Sequence, residues 1–79
     1  MNKFQAISAF TQVAERGSFS AAAKRLGMSS SAITKSIAWL EDELGTQLFT
    51  RTTRRIALTD FGETFYERCV RIKIGRAHV

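Results

Sequence analysis

SSSAITKSIAWLEDEL, residues 29–44, is the stretch from which the fold of this chain can be read. Ile33, Ile37, Leu40 and Leu44 recur at steps of four, three and four, the spacing that aligns side chains on one stripe of an α-helix facing a core. Ser30, Ser31, Thr34 and Lys35 fall outside that stripe, toward solvent, while Glu41, Asp42 and Glu43 crowd the last turns. The first turn of such a helix offers unpaired N–H groups and the positive end of its dipole to an anion, and the carboxylates sit at the far end. A helix-turn-helix polarises its second helix in this way where that helix reads a DNA major groove.

Toward the N-terminus, Gly27 and Met28 form a tight link, and Ser29 is the expected cap of the polarised helix. Before the link, Ala22, Ala23 and Leu26 make the apolar side of a short helix, with Ser18 and Ser20 as cap candidates and Gly27 closing it. Two alanines suit close approach between helices. Earlier still, Phe4, Ile7, Phe10 and Val13, flanked by Ala6 and Ala14, trace a first helix that ends at Arg16 and Gly17. Toward the C-terminus, Gly45 stops the polarised helix and the period changes. Residues 47–50 and 55–59 read as two short strands around a cationic turn, Arg51, Thr52, Thr53 and Arg54. From Thr59 the helical repeat returns, with Thr59 or Asp60 as cap and Phe61, Phe65 and Cys69 at four-residue steps, flanked by Tyr66 and Val70. The expected fold class is mainly α with a small β-hairpin, a winged helix-turn-helix. Residues 1–58 form the winged domain, 59–73 begin a linker helix, and 74–79, IGRAHV, break the apolar repeat. That ending matches the translation of a common sequencing adapter and is read as a non-native tail.

Composition narrows the function. Seventy-nine residues, 44% hydrophobic and 24% charged, make one small globular domain rather than a disordered chain. A net charge of +5 favours nucleic acid or an anionic surface as partner. No apolar run approaches the roughly 20 residues that cross a bilayer, and the N-terminus lacks a signal peptide, so the chain is expected to be cytoplasmic and to have no membrane partner. Cys69 is the only cysteine and His78 the only histidine, so neither a disulfide nor a set of metal ligands is expected, and Cys69 fits a plain core thiol. No nucleophile and base are paired, so an enzyme is not expected, nor is any cofactor.

From residue 17 to 62 the chain reads GSFSAAAKRLGMSSSAITKSIAWLEDELGTQLFTRTTRRIALTDFG. This resembles the N-terminal DNA-binding domain of LysR-type transcriptional regulators. The marks are Gly-Ser-Phe-Ser from Gly17, the double alanine before Leu26 and the Ser-rich start of the recognition helix. They continue with Leu40-Glu41 leading to Glu43-Leu44-Gly45, Leu48-Phe49 with Arg51, and Leu58-Thr59 ahead of Gly62. The resemblance implies that Ser30, Ser31 and Thr34 face base edges and that Lys35 reaches a phosphate or a guanine. Many relatives carry glutamine or proline near Ser30 and Ser31 and arginine at Lys35. The hydroxyls here discriminate weakly, because each can serve more than one base. The resemblance also places Arg51, Arg54 and Arg55 on a wing that touches the minor groove and flanking backbone. Arg54 is the residue expected in the groove, since arginine is drawn to narrow A·T-rich segments. Ser18 and Ser20 are candidate phosphate donors, although capping alone also accounts for them, and Lys24 and Arg25 fit a solvated or loosely phosphate-facing role. Trp39 stands where relatives commonly have a polar residue, and its size favours packing.

By the same resemblance, Phe61, Phe65, Cys69 and Val70 carry the apolar side of the helix through which relatives form homodimers. A small-molecule effector would bind only a further domain that full-length relatives possess. The expected function is sequence-specific binding of double-stranded DNA by a bacterial transcriptional regulator. The alternative is a protein-interaction module that uses the same fold without specific DNA binding.

Overall fold

The computed structural model describes residues 2–51 and 56–78, with side chains described at 2–50 and 56–71. Six elements follow in order: α1 (Lys3–Arg16), α2 (Phe19–Leu26), α3 (Ser30–Leu44), β1 (Phe49–Arg51), β2 (Ile56–Leu58) and α4 (Asp60–His78). Each helix starts where a polar side chain takes up an orphan N–H group. Asn2 accepts from the Phe4 N–H at 2.8 Å, Ser18 from Ala21 at 3.2 Å, Ser29 from Ala32 at 3.1 Å and Thr59 from Gly62 at 2.9 Å. Gly17 and Gly27 cap the first two helices. Gly45 ends α3 in the left-handed region at φ 73°, where its N–H and that of Thr46 both reach the Glu41 carbonyl, at 2.9 and 3.2 Å.

α1 crosses both α2 and α3, and the core lies between them. Ala6, Ala9, Phe10 and Val13 of α1 meet Ala22 and Ala23 of α2 and Ile33, Ile37 and Leu40 of α3, and Leu48 and Phe49 close the bottom. The alanines of α1 and α2 let the two backbones approach. Aromatic rings then link the elements in a chain. Phe19 of α2 lies 6.3 Å from Phe49 of β1, Phe49 lies 5.4 Å from Phe10, and Phe10 lies 5.3 Å from Phe65 and 6.4 Å from Tyr66 of α4. These tilted and edge-on geometries are the favourable ones for ring quadrupoles. Tyr66 completes the α1–α4 contact by donating its hydroxyl to Glu15 Oε2 at 3.0 Å. Burial, then that hydrogen bond and the charge of Glu15, raise the Tyr66 pKa above its ordinary value.

Phe4 departs from the sequence expectation, being 81% exposed. It lies two residues from Ala6, about 200° of helix rotation, so the orientation that buries Ala6 turns Phe4 to solvent. Trp39 is half-buried in a groove with Ile7, Leu40, Leu44 and Phe65, on the α1–α4 side of α3.

The strands form an antiparallel pair with Phe49 opposite Leu58, Thr50 opposite Ala57 and Arg51 opposite Ile56. The first strand begins at Phe49 rather than at Gln47 because the chain before it is held by side chains. The Leu48 N–H turns to Glu41, and the Gln47 carbonyl accepts from Thr59 Oγ1 at 2.8 Å. Gly62 lies against the same point. A Cβ at this position would collide with the Leu48 carbonyl oxygen, so α4 can reach β1 only through a residue without a side chain. The helical backbone of α4 continues to His78, through the stretch where the apolar repeat ends.

Candidate nucleic-acid interface

The face that α3 turns outward is decided by what it buries. Ile33, Ser36, Ile37 and Leu40 are buried, and Ser30, Ser31, Thr34 and Lys35 are all exposed. Thr34 follows Ser30 by one turn and Lys35 follows Ser31 by one turn, so three hydroxyls and one ammonium share a single surface at the start of the helix. Ser29 stands apart from them, since its oxygen is taken by the Ala32 N–H.

Thr34 has a defined local geometry. Its Oγ1 donates to the Ser30 carbonyl at 3.0 Å. With its proton directed inward, the oxygen presents lone pairs outward and acts as an acceptor toward a ligand. An acceptor beside a methyl group suits an amino group of adenine or cytosine and the methyl of thymine.

The electrostatics around this face have one sign. Between Arg16 and Glu41 the chain carries Lys24, Arg25 and Lys35 and no carboxylate. Lys24 and Arg25 are exposed on α2 and line a shallow depression with Arg16 and Ala21. Ser18 is half-buried as the α2 cap, and Ser20 is exposed on the first turn of α2. A polyanion that approached α3 along its axis would therefore meet positive potential first.

Not every expected site residue is brought to this face. The backbone of Arg51 ends β1 opposite Ile56. The Arg51 side chain lies outside the description, and Arg54 and Arg55 fall outside the described residues. On α4, Phe61 is 43% exposed and stacks on Phe65, with centroids 6.2 Å apart and planes 13° from parallel. Phe65 is half-buried against Phe10, and Cys69 and Val70 are half-buried beyond it. Phe65 thus packs within its own domain, whereas Phe61 offers ring surface to solvent.

Glu41, which in the sequence reads as one of three interchangeable acids, is set apart by its hydrogen bonds. Its Oε2 accepts from the Leu48 N–H at 2.8 Å and the Phe49 N–H at 3.4 Å. The usable sequence signal was the fixed run from Leu40-Glu41 through Gly45 to Leu48-Phe49, which marks a rigid connection without revealing the acceptor. Among the described residues, no helix is long and apolar enough to cross a membrane, and no three His, Cys, Asp or Glu side chains cluster as metal ligands.

Comparison with known proteins gives a consistent answer. The family model described as bacterial regulatory helix-turn-helix protein, lysR family, matches residues 4–63. The transcriptional activator AaeR of Escherichia coli K12 is 44% identical over 72 residues, which cover 91% of this chain and 23% of that protein. The transcriptional regulator PtxR of Pseudomonas aeruginosa is 53% identical over 58 residues, 73% of this chain and 19% of that protein. The chain thus spans about a quarter of the length of these curated relatives or less. Among solved structures, the CbnR_DBD–DNA complex superposes with a TM-score of 0.84 at 41% identity, covering 99% of this chain and 91% of that one. The BenM_DBD complex with benA site 1 DNA gives 0.87 at 29% identity, covering 99% and 86%.

Proposed function

The chain belongs to the lysR family of bacterial regulatory helix-turn-helix proteins, and on that premise we propose that it is the DNA-binding part of a transcriptional regulator that reads duplex DNA through α3. The observation that carries this reading is the single outward face of Ser30, Ser31, Thr34 and Lys35, held at the cationic end of a helix whose opposite side is buried. Superposition on the CbnR and BenM DNA complexes supports it.

In the proposed mechanism, Ser30, Ser31 and Thr34 meet base edges in the major groove. Lys35 reaches a phosphate or a guanine, and Ser18 and Ser20 donate to the backbone from α2. Arg51, Arg54 and Arg55 supply backbone and minor-groove contacts from the wing. Phe61, Phe65, Cys69 and Val70 take part in pairing two subunits, Phe61 with the most exposed ring. A homodimer presents two α3 helices to half-sites about 34 Å apart, so the operator is expected to be pseudo-palindromic. The protein acts by binding, without catalysis, in the bacterial cytoplasm, and an effector acts through the larger remainder that relatives possess. Residues 74–79 take no part in this reading.

The test is selection of bound sequences from a random duplex pool, followed by titration at increasing salt. Affinity is expected to fall with a log–log slope of about −0.9 for each neutralised phosphate, and the selected sequences to share two related half-sites. Binding that does not change with salt, or a pool with no enrichment, would instead favour a protein partner for the same face.

A further inference from the structure

We propose that Glu41 is the positioning residue that holds the start of β1 against α3, so that DNA contacts made from β1 depend on a carboxylate that itself touches no DNA. The inference rests on the DNA-binding reading above and adds to it a determinant outside the reading face.

Three observations carry it. First, Glu41 follows Thr34 by seven residues, nearly two full turns. The two side chains therefore leave α3 in almost the same direction, about 10 Å apart along the axis. The strand that Glu41 holds thus starts in the same row as a base-facing hydroxyl. Second, one residue organises the whole connection. The Glu41 carbonyl receives the N–H groups of Gly45 and Thr46, and its carboxylate receives those of Leu48 and Phe49. Hydrogen bonds from N–H to a carboxylate are charge-assisted and stronger than those to a neutral acceptor. Leu48 is fully buried, so no water can replace the lost acceptor without cost. Third, the Leu48 peptide is fixed from its other side as well, because its carbonyl accepts from the Thr59 N–H at 3.0 Å. Without the Glu41 carboxylate, β1 keeps its backbone tie to the start of α4 and loses its hydrogen bonds to α3, leaving apolar packing alone to hold it there.

The experiment uses the full chain with Glu41→Ala and Glu41→Gln. Two duplexes are compared below the melting temperature: a selected long one, and the same sequence cut off at the edge of the base pairs that α3 reads. Amide hydrogen exchange at Leu48 and Phe49 is followed in parallel. Glu41→Ala is expected to speed exchange at these two amides while those of α1 stay protected. It should lose about tenfold in affinity on the long duplex, with a salt slope shallower by about one, and lose little on the short one. Glu41→Gln keeps an acceptor oxygen and should recover most of the loss. If alanine unfolds the domain, glutamine carries the test, and its smaller deficit must again be confined to the long duplex. Equal losses on both duplexes, or wild-type exchange at Leu48 and Phe49 in both variants, overturn the proposal. A wild-type chain that binds neither duplex overturns the DNA-binding reading and this inference with it, whereas a binding wild type with indistinguishable variants overturns the inference alone.

Discussion

In the first two turns of α3, Ser30, Ser31, Thr34 and Lys35 stand in solvent, and about two turns beyond Thr34 in the same row the Glu41 carboxylate is engaged by the chain's own backbone. Both ends carry polar side chains that no core could hold. Their difference lies in what covers them: among the described residues nothing folds back over the start of the helix, while at its end the backbone of Leu48 and Phe49 does. A polar side chain on a helix surface is therefore open to a ligand only where no later segment of the chain supplies it with hydrogen-bond partners.

Substitutions can break or sharpen this contrast. Leu40 belongs to the core on which the whole of α3 rests, and Leu40→Ala should abolish the distinction by removing about 2–5 kcal/mol of stability, seen as a large fall in the thermal melt. An unchanged melt would remove Leu40 from the core. Gly62→Ala acts at the wing end alone. Because the new Cβ meets the Leu48 backbone rather than a flexible side chain, it should cost about 1–3 kcal/mol by urea titration. Ser29→Ala acts at the reading end by leaving the Ala32 N–H without its cap, and about 1 kcal/mol is expected. A loss as large as that of Leu40→Ala would show that the first turn of α3 supports the whole domain. The smallest effects on stability belong to Thr34→Ala and Lys35→Ala, within about 0.5 kcal/mol of wild type. Here the readout is binding: Thr34→Ala should alter preference among duplexes, while Lys35→Ala should weaken all of them and flatten the salt slope by about one. Identical losses on every DNA for both variants would contradict the assignment of separate roles.

Much of this was legible in the sequence because the signals are local. Ser18, Gly27, Ser29 and Gly45 mark helix ends through bonds to residues three or four positions away, and Ile33, Ile37 and Leu40 repeat at the helical period. What escaped depends on long-range geometry. The spacing of Phe4 fits the apolar repeat of α1, but its exposure follows from where α1 packs. Glu41 is adjacent to two other acids, and only its bonds to residues seven and eight positions on separate it from them. The start of β1 moved for the same reason, since the competing acceptor for the Leu48 N–H sits on another element. The outward polar face of α3 was legible from one helix alone, whereas the anchor of β1 required two elements and a buried amide.

The chain of rings from Phe19 through Phe49 and Phe10 to Phe65 has a thermodynamic corollary. It touches α2, β1, α1 and α4 in turn, so peeling away any one of them bares an aromatic surface on the next. Unfolding is therefore expected to be cooperative across these four elements. The calorimetric and van't Hoff enthalpies of unfolding should coincide.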